Sequence, residues 1–179
     1  MKRIIPLCTA ALLAGAALGL AQIERLTLPQ MVAKTDGSVH GTITAREVIR
    51  IDHPIDGPEL YYTHLTIEGT SLENGQKTSV VVTYPGGWID DEQGVNNSEA
   101  PAEDDVKIGN EIVAFYKWSD NMGGDLAANA LYASHGGLYQ VVSGRTQQVV
   151  LGQGEGYAVS SNIALGDLGQ QVKSLAEGK

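Results

Sequence analysis

Between Ser38 and Arg46 the chain alternates strictly. Val39, Gly41, Ile43 and Ala45 fall on one side, and His40, Thr42, Thr44 and Arg46 on the other. A period of two marks a strand with one buried face, and Gly41 within it predicts a bend or a close approach of another backbone. A second strand is predicted over Glu59–Gly69, with Tyr61, Thr63, Leu65 and Ile67 on one face. The connection Asp52–Pro58 (DHPIDGP) reads as a turn with two prolines. Asn74-Gly75 is a hairpin signal leading into Thr78–Tyr84, whose valines imply a covered strand that Pro85-Gly86-Gly87 ends. The apolar run Ile112–Trp118 predicts a central strand, with Tyr116 and Trp118 together on a core-facing side. Leu131–Ser134, Leu138–Val142 and Thr146–Leu151 predict three further short strands between glycine turns.

Two stretches carry the helical period instead. Thr27-Leu28-Pro29-Gln30 has an N-cap threonine, an early proline and a capping-box glutamine, so a short helix is expected over Leu28–Lys34, stopped by Asp36-Gly37. Leu165, Leu168, Val172 and Leu175 lie on one face of an amphipathic helix within residues 162–177, capped by Asn162 or Ser161. Its polar face is poor in lysine, which favours packing on a sheet over lying on a membrane. The order of elements predicts a mainly β fold: a small OB-like barrel or sandwich of about six to eight short strands, with a short N-terminal helix and a C-terminal amphipathic one.

One hydrophobic run fits neither period. Met1-Lys2-Arg3 is followed by an apolar stretch from Ile4 to Leu20, with small residues at Gly19 and Ala21. That is the layout of a secretory signal cleaved between Ala21 and Gln22. The run is about 17 residues and holds Pro6, marginal for crossing a bilayer, so no stable membrane anchor is expected. Cys8 follows Leu7 rather than a small residue near the cut, which argues against lipid attachment. It would leave with the signal and take the only thiol, excluding disulfides and cysteine chemistry. The remaining 22–179 is expected to form a single β-rich domain in the periplasm or outside the cell.

Removal of Lys2 and Arg3 would leave 10 basic against 21 acidic residues, a net charge near −11. Such a chain is a poor match for nucleic acid or anionic lipid. Seven of the acidic residues lie between Trp88 and Asp105 with no basic residue among them, and this segment reads as a solvated surface excursion.

Several segments resemble one another's counterparts in a known family. Leu26-Thr27-Leu28-Pro29-Gln30-Met31-Val32 followed by Gly37-Ser38-Val39-His40-Gly41-Thr42-Ile43 is similar to the opening of an uncharacterised secreted bacterial β-domain. Val80–Gly87, Val106–Phe115 and Gly136–Val141 continue the resemblance, although the third motif there ends in Phe-Leu where this chain has Phe115-Tyr116. The resemblance implies an OB-like extracytoplasmic module and carries over no catalytic residue.

Candidate chemistry is sparse. His53 with Asp52, Asp56 or His64 offers imidazole and carboxylate donors for zinc or a similar ion, but no pair has a recognised ligand spacing. The plainer account is four exposed, unrelated histidines, with His40 and His64 pointing away from the core. Ser134-His135 lacks a Gly-x-Ser-x-Gly elbow, and the Asp90-Asp91-Glu92 run lacks EF-hand order. No cofactor is implied. Trp88, beside Gly86-Gly87 and the acidic run, is the better surface aromatic. The expectation is therefore an exported, non-enzymatic domain binding a protein, peptide or glycan through Trp88, Asp90, Asp91 and Glu92. A secreted metal-dependent hydrolase using His53, Asp56 and His64 is the alternative, and a protease-inhibitor-like OB module ranks last.

Overall fold

The computed structural model describes residues 24–178. The expected signal segment and its cut between Ala21 and Gln22 lie outside them. In chain order the elements are α1 (Leu28–Lys34), β1 (Gly37–His53), β2 (Gly57–Ser71), β3 (Lys77–Pro85), β4 (Gly87–Trp88) and β5 (Gly94–Val95). Then come β6 (Glu111–Ser119), β7 (Ala128–Leu131), a 3-10 turn (Ser134–Gly137), β8 (Leu138–Ser143), β9 (Gln148–Val150), β10 (Ile163–Ala164) and α2 (Leu165–Ala176).

Five strands close a barrel in the order β1-β2-β3-β7-β6 and back to β1. Neighbours are antiparallel except β3 and β7, which run parallel. This is the OB-type barrel expected from the strand pattern.

β6 shares its second edge between two partners: Tyr116–Ser119 pair with β7, and Ile112–Ala114 pair with β8. β8, β9 and β10 then lead the sheet away from the barrel. Both faces of β6 are covered as a result. Ile112 and Ala114 enter the barrel core with Ile43, Leu65 and Val82. Val113 and Phe115 point the other way, into a second core with Met31, Tyr139 and Leu168 under the two helices. A strand buried on both sides reads as a continuous apolar run, which is why Ile112–Phe115 shows no alternation.

β1 is much longer than the nine-residue alternation suggested, because β2 accompanies it as far as Ile51 and His53. Its register with β2 shifts between Ile43 and Ala45, leaving Thr44 as a bulge. A bulge exchanges the two faces of a strand. Ala45, expected inside, is exposed, and Arg46, expected outside, faces inward opposite Leu65.

The helices separate in fidelity to expectation. α1 has the full capping box, with Gln30 Oε1 accepting from Thr27 N at 2.9 Å. α2 begins at Leu165 without a side-chain cap, since Ile163 and Ala164 first pair with β9 as β10. Asn162 Oδ1 accepts from Gly152 N at 3.0 Å instead of capping the helix. The expected strand Leu131–Ser134 is displaced: β7 ends at Leu131, and left-handed Ala133 (φ 54°) and Ser134 (φ 55°) turn the chain into the 3-10 segment.

Most of the segment 88–105 is exposed, and part of it is held in place by pairing and by a few apolar contacts. β4 and β5 form a small hairpin. Beyond it Pro101 is buried and Ala100 packs against the barrel core beside fully buried Val106. A few apolar side chains suffice to seat the segment while its carboxylates remain outside.

Candidate functional site

β3 and β7 pair in register only at Val82–Asn129 and Thr83–Ala130. Where they part, a groove of about 480 Å³ opens between Val81 and the segment Leu126–Asn129. The outer faces of β1, β2 and β3 line it with Glu47, His64 and Thr83, and Trp118 joins from β6. Glu47 reaches this face because of the bulge at Thr44, which sets it opposite His64 in register.

Trp118 departs from expectation. It shares the side of Tyr116, and Tyr116 does pack on the barrel core. However, β1 starts at Gly37, the register partner of Tyr116, so no β1 residue lies across from Trp118 and its side is 51% exposed. Trp118 is nevertheless held through its ring and its backbone. Its Nε1–H donates to Asp120 Oδ1 at 2.8 Å, and its backbone N–H donates to Asp36 Oδ2 at 2.7 Å. Around it, His64 Nδ1 and Thr83 Oγ1 are hydrogen-bonded at 2.7 Å, and Asn129 Nδ2 donates to the Val81 carbonyl at 3.3 Å. Glu47 makes no ion pair among the described residues. The groove therefore offers a fixed aromatic face, a free carboxylate and several hydrogen-bonding groups.

The residues singled out in the sequence form a different surface. Trp88 stands half-exposed on the β4–β5 hairpin, with Ile89 and Val95 exposed beside it. Asp90 turns on its own backbone, its Oδ1 accepting from Glu92 N at 2.9 Å and Gln93 N at 2.8 Å. Asp91 and Glu92 project into solvent at the tip. A smaller hollow of about 270 Å³ lies between Trp88 and residues 96–103. Gly87 sits tightly against the chain's own ribbon: a Cβ on it would meet Thr63 Oγ1 at 2.3 Å. Thr63 pairs with Val48, one step from the Glu47–His64 pair. Successive strand residues face opposite ways, so the hairpin and the Trp118 groove occupy opposite faces of the β1–β2 ribbon.

The proposed metal set is divided. His53 Nε2 lies 3.2 Å from Asp125 Oδ2 and its Nδ1 lies 3.4 Å from Asp56 Oδ2. Asp56 Oδ2 also accepts from Gly124 N at 2.7 Å, and Tyr62 Oη donates to the Met122 carbonyl at 2.7 Å. These contacts tie the turn after β1 to the loop before β7. His64 belongs to the groove on the far part of β2. No group of three or more histidines, cysteines or carboxylates suited to a metal ion exists among the described residues. Ser134 and His135 both meet Glu99 rather than each other: Ser134 Oγ donates to Glu99 Oε2 at 3.2 Å, while His135 Nδ1 lies 3.2 Å from the Glu99 carbonyl oxygen and its Nε2 pairs with Tyr157 Oη at 3.1 Å.

In comparisons with known proteins the chain matches no family model, no curated protein and no solved structure. Its OB-type character therefore rests on strand order and closure. Among the described residues no helix is long and apolar enough to cross a membrane.

Proposed function

We propose that this chain is an exported, non-enzymatic binding module that holds a protein, peptide or glycan partner outside the cytoplasm through the Trp118 groove. The observation that carries the reading is a half-exposed indole locked in place inside a concave, partly polar surface. A large rigid aromatic supplies contact area at little cost in conformational entropy, and such residues dominate binding surfaces. The position supports the same reading, since OB-type barrels commonly bind across the face of their second and third strands and the loops beside it. The N-terminal pattern of Met1–Ala21 supports export.

The hairpin is a second surface, favoured by the exposed trio Trp88, Ile89 and Val95. Peptide and glycan arrays probed with the labelled 22–179 protein test both. A ligand of the groove should lose at least about tenfold in affinity in Trp118→Ala, in keeping with a binding hot spot. Loss in Trp88→Ala alone moves the site to the hairpin, and a ligand indifferent to both substitutions sinks the reading.

A further inference from the structure

We infer that the occupant of the Trp118 groove is a basic, extended peptide segment that lays a lysine or arginine side chain on the indole face; this rests on the binding-module reading of the same groove. Charge is the first argument. Glu47 lines the groove without an ion-pair partner among the described residues, and no lysine or arginine lines it. Asp120 accepts the indole N–H at 2.8 Å, placing a second carboxylate at the ring edge. An indole face attracts a cation, and nearby carboxylates add to that attraction. With 21 acidic against 12 basic residues, the whole chain draws the same class of ligand and repels phosphate or carboxylate ones.

Backbone geometry is the second argument, and it points to an extended chain. The second edge of β3 pairs only at Val82 and Thr83. Toward Lys77 that edge has no strand partner among the described residues, and the Val81 carbonyl is met by the Asn129 side chain instead. A peptide lying in this gap can take up main-chain hydrogen bonds on β3 while alternate side chains reach the groove.

The test is a ¹⁵N chemical-shift titration of the 22–179 protein with three probes: a blocked heptapeptide carrying two lysines, its glutamate counterpart, and chitohexaose. The lysine peptide should shift the amides of Val81, Trp118 and Asn129 and the Trp118 indole N–H. Its affinity should fall at least about tenfold in Trp118→Ala and about threefold in Glu47→Gln, and decline with added salt. Ile108→Ala, at an exposed position elsewhere, should leave it unchanged. Equal shifts from the glutamate peptide, or none from the lysine peptide, overturn the inference. Shifts from chitohexaose alone overturn it too, but leave the groove as a binding site for glycans. Failure of the wider reading is seen separately, as array ligands insensitive to Trp118→Ala.

Discussion

Arg46 grips Glu103 with both ends of its guanidinium: Nη1 is 2.6 Å from Oε2 and Nη2 is 2.8 Å from Oε1. The contact fastens the acidic segment after β3 to the inner side of β1, near the point where Val106 enters the barrel core. Only the bulge at Thr44 turns Arg46 toward it.

Glu103 is 65% exposed in this pair, so solvent screening limits what it contributes. Glu103→Gln should lower stability by about 1 kcal/mol. Arg46→Ala also removes the packed stem and should cost about 2 kcal/mol. Urea unfolding of both variants and of the double variant measures the coupling, and additive losses would show that the fork contributes nothing.

Gly41 and Gly69 are register partners where β1 is flanked by β2 on one side and β6 on the other. A Cβ on Gly41 would lie 2.3 Å from the Glu68 carbonyl oxygen, and one on Gly69 would lie 2.0 Å from that of His40. Backbone held by two neighbours cannot retreat, so Gly41→Ala should cost about 3 kcal/mol or more. Gly75, at φ +73° with open space around it, provides the contrast. Gly75→Ala should cost only about 1 kcal/mol of backbone strain. Thermal melts of the two variants should rank in that order.

Burial pushes the Tyr139 phenol up to about 12, although backbone N–H groups of Val159 and Ala158 pull it partly back. Below about pH 10 the phenol is neutral in folded and unfolded chains alike. Above it the unfolded chain loses this proton first, so the folded state binds more protons and stability falls as pH rises. The fall should amount to about 3 kcal/mol and level off near pH 12. Tyr139→Phe should give up the hydrogen bond from Val159 N (3.3 Å), at a cost of about 1 kcal/mol near neutral pH. It should also flatten the alkaline decline. An unchanged slope between pH 10 and 12 in Tyr139→Phe would assign that decline to other groups.

The parts legible in the sequence are those set by near neighbours. The α1 capping box needs only Thr27, Pro29 and Gln30, and it formed as read. The turn at Asn74-Gly75 formed because glycine admits the positive φ found there. The inward side of β2, Tyr61 through Ile67, is buried throughout. The candidate site was harder to see. The polar surroundings of Trp88 mark it as a surface residue, and it is half-exposed. The apolar run Ile112–Trp118 and the shared face with Tyr116 point Trp118 to the core, and the one contrary signal is the turn Ser119–Asp125, which places it at a strand end.

Period, turn residues and capping pattern thus determined a mainly β chain, barrel or sandwich, with two flanking helices, since each depends on side chains within a few residues of one another. Tertiary structure alone decided which strand β6 pairs with along each half, that the bulge at Thr44 sends Arg46 inward and Glu47 outward, and that β1 stops short of covering Trp118. Those outcomes depend on register between segments as far apart in the chain as Gly37 and Tyr116. A one-residue shift exchanges the faces of a strand while leaving its local pattern untouched.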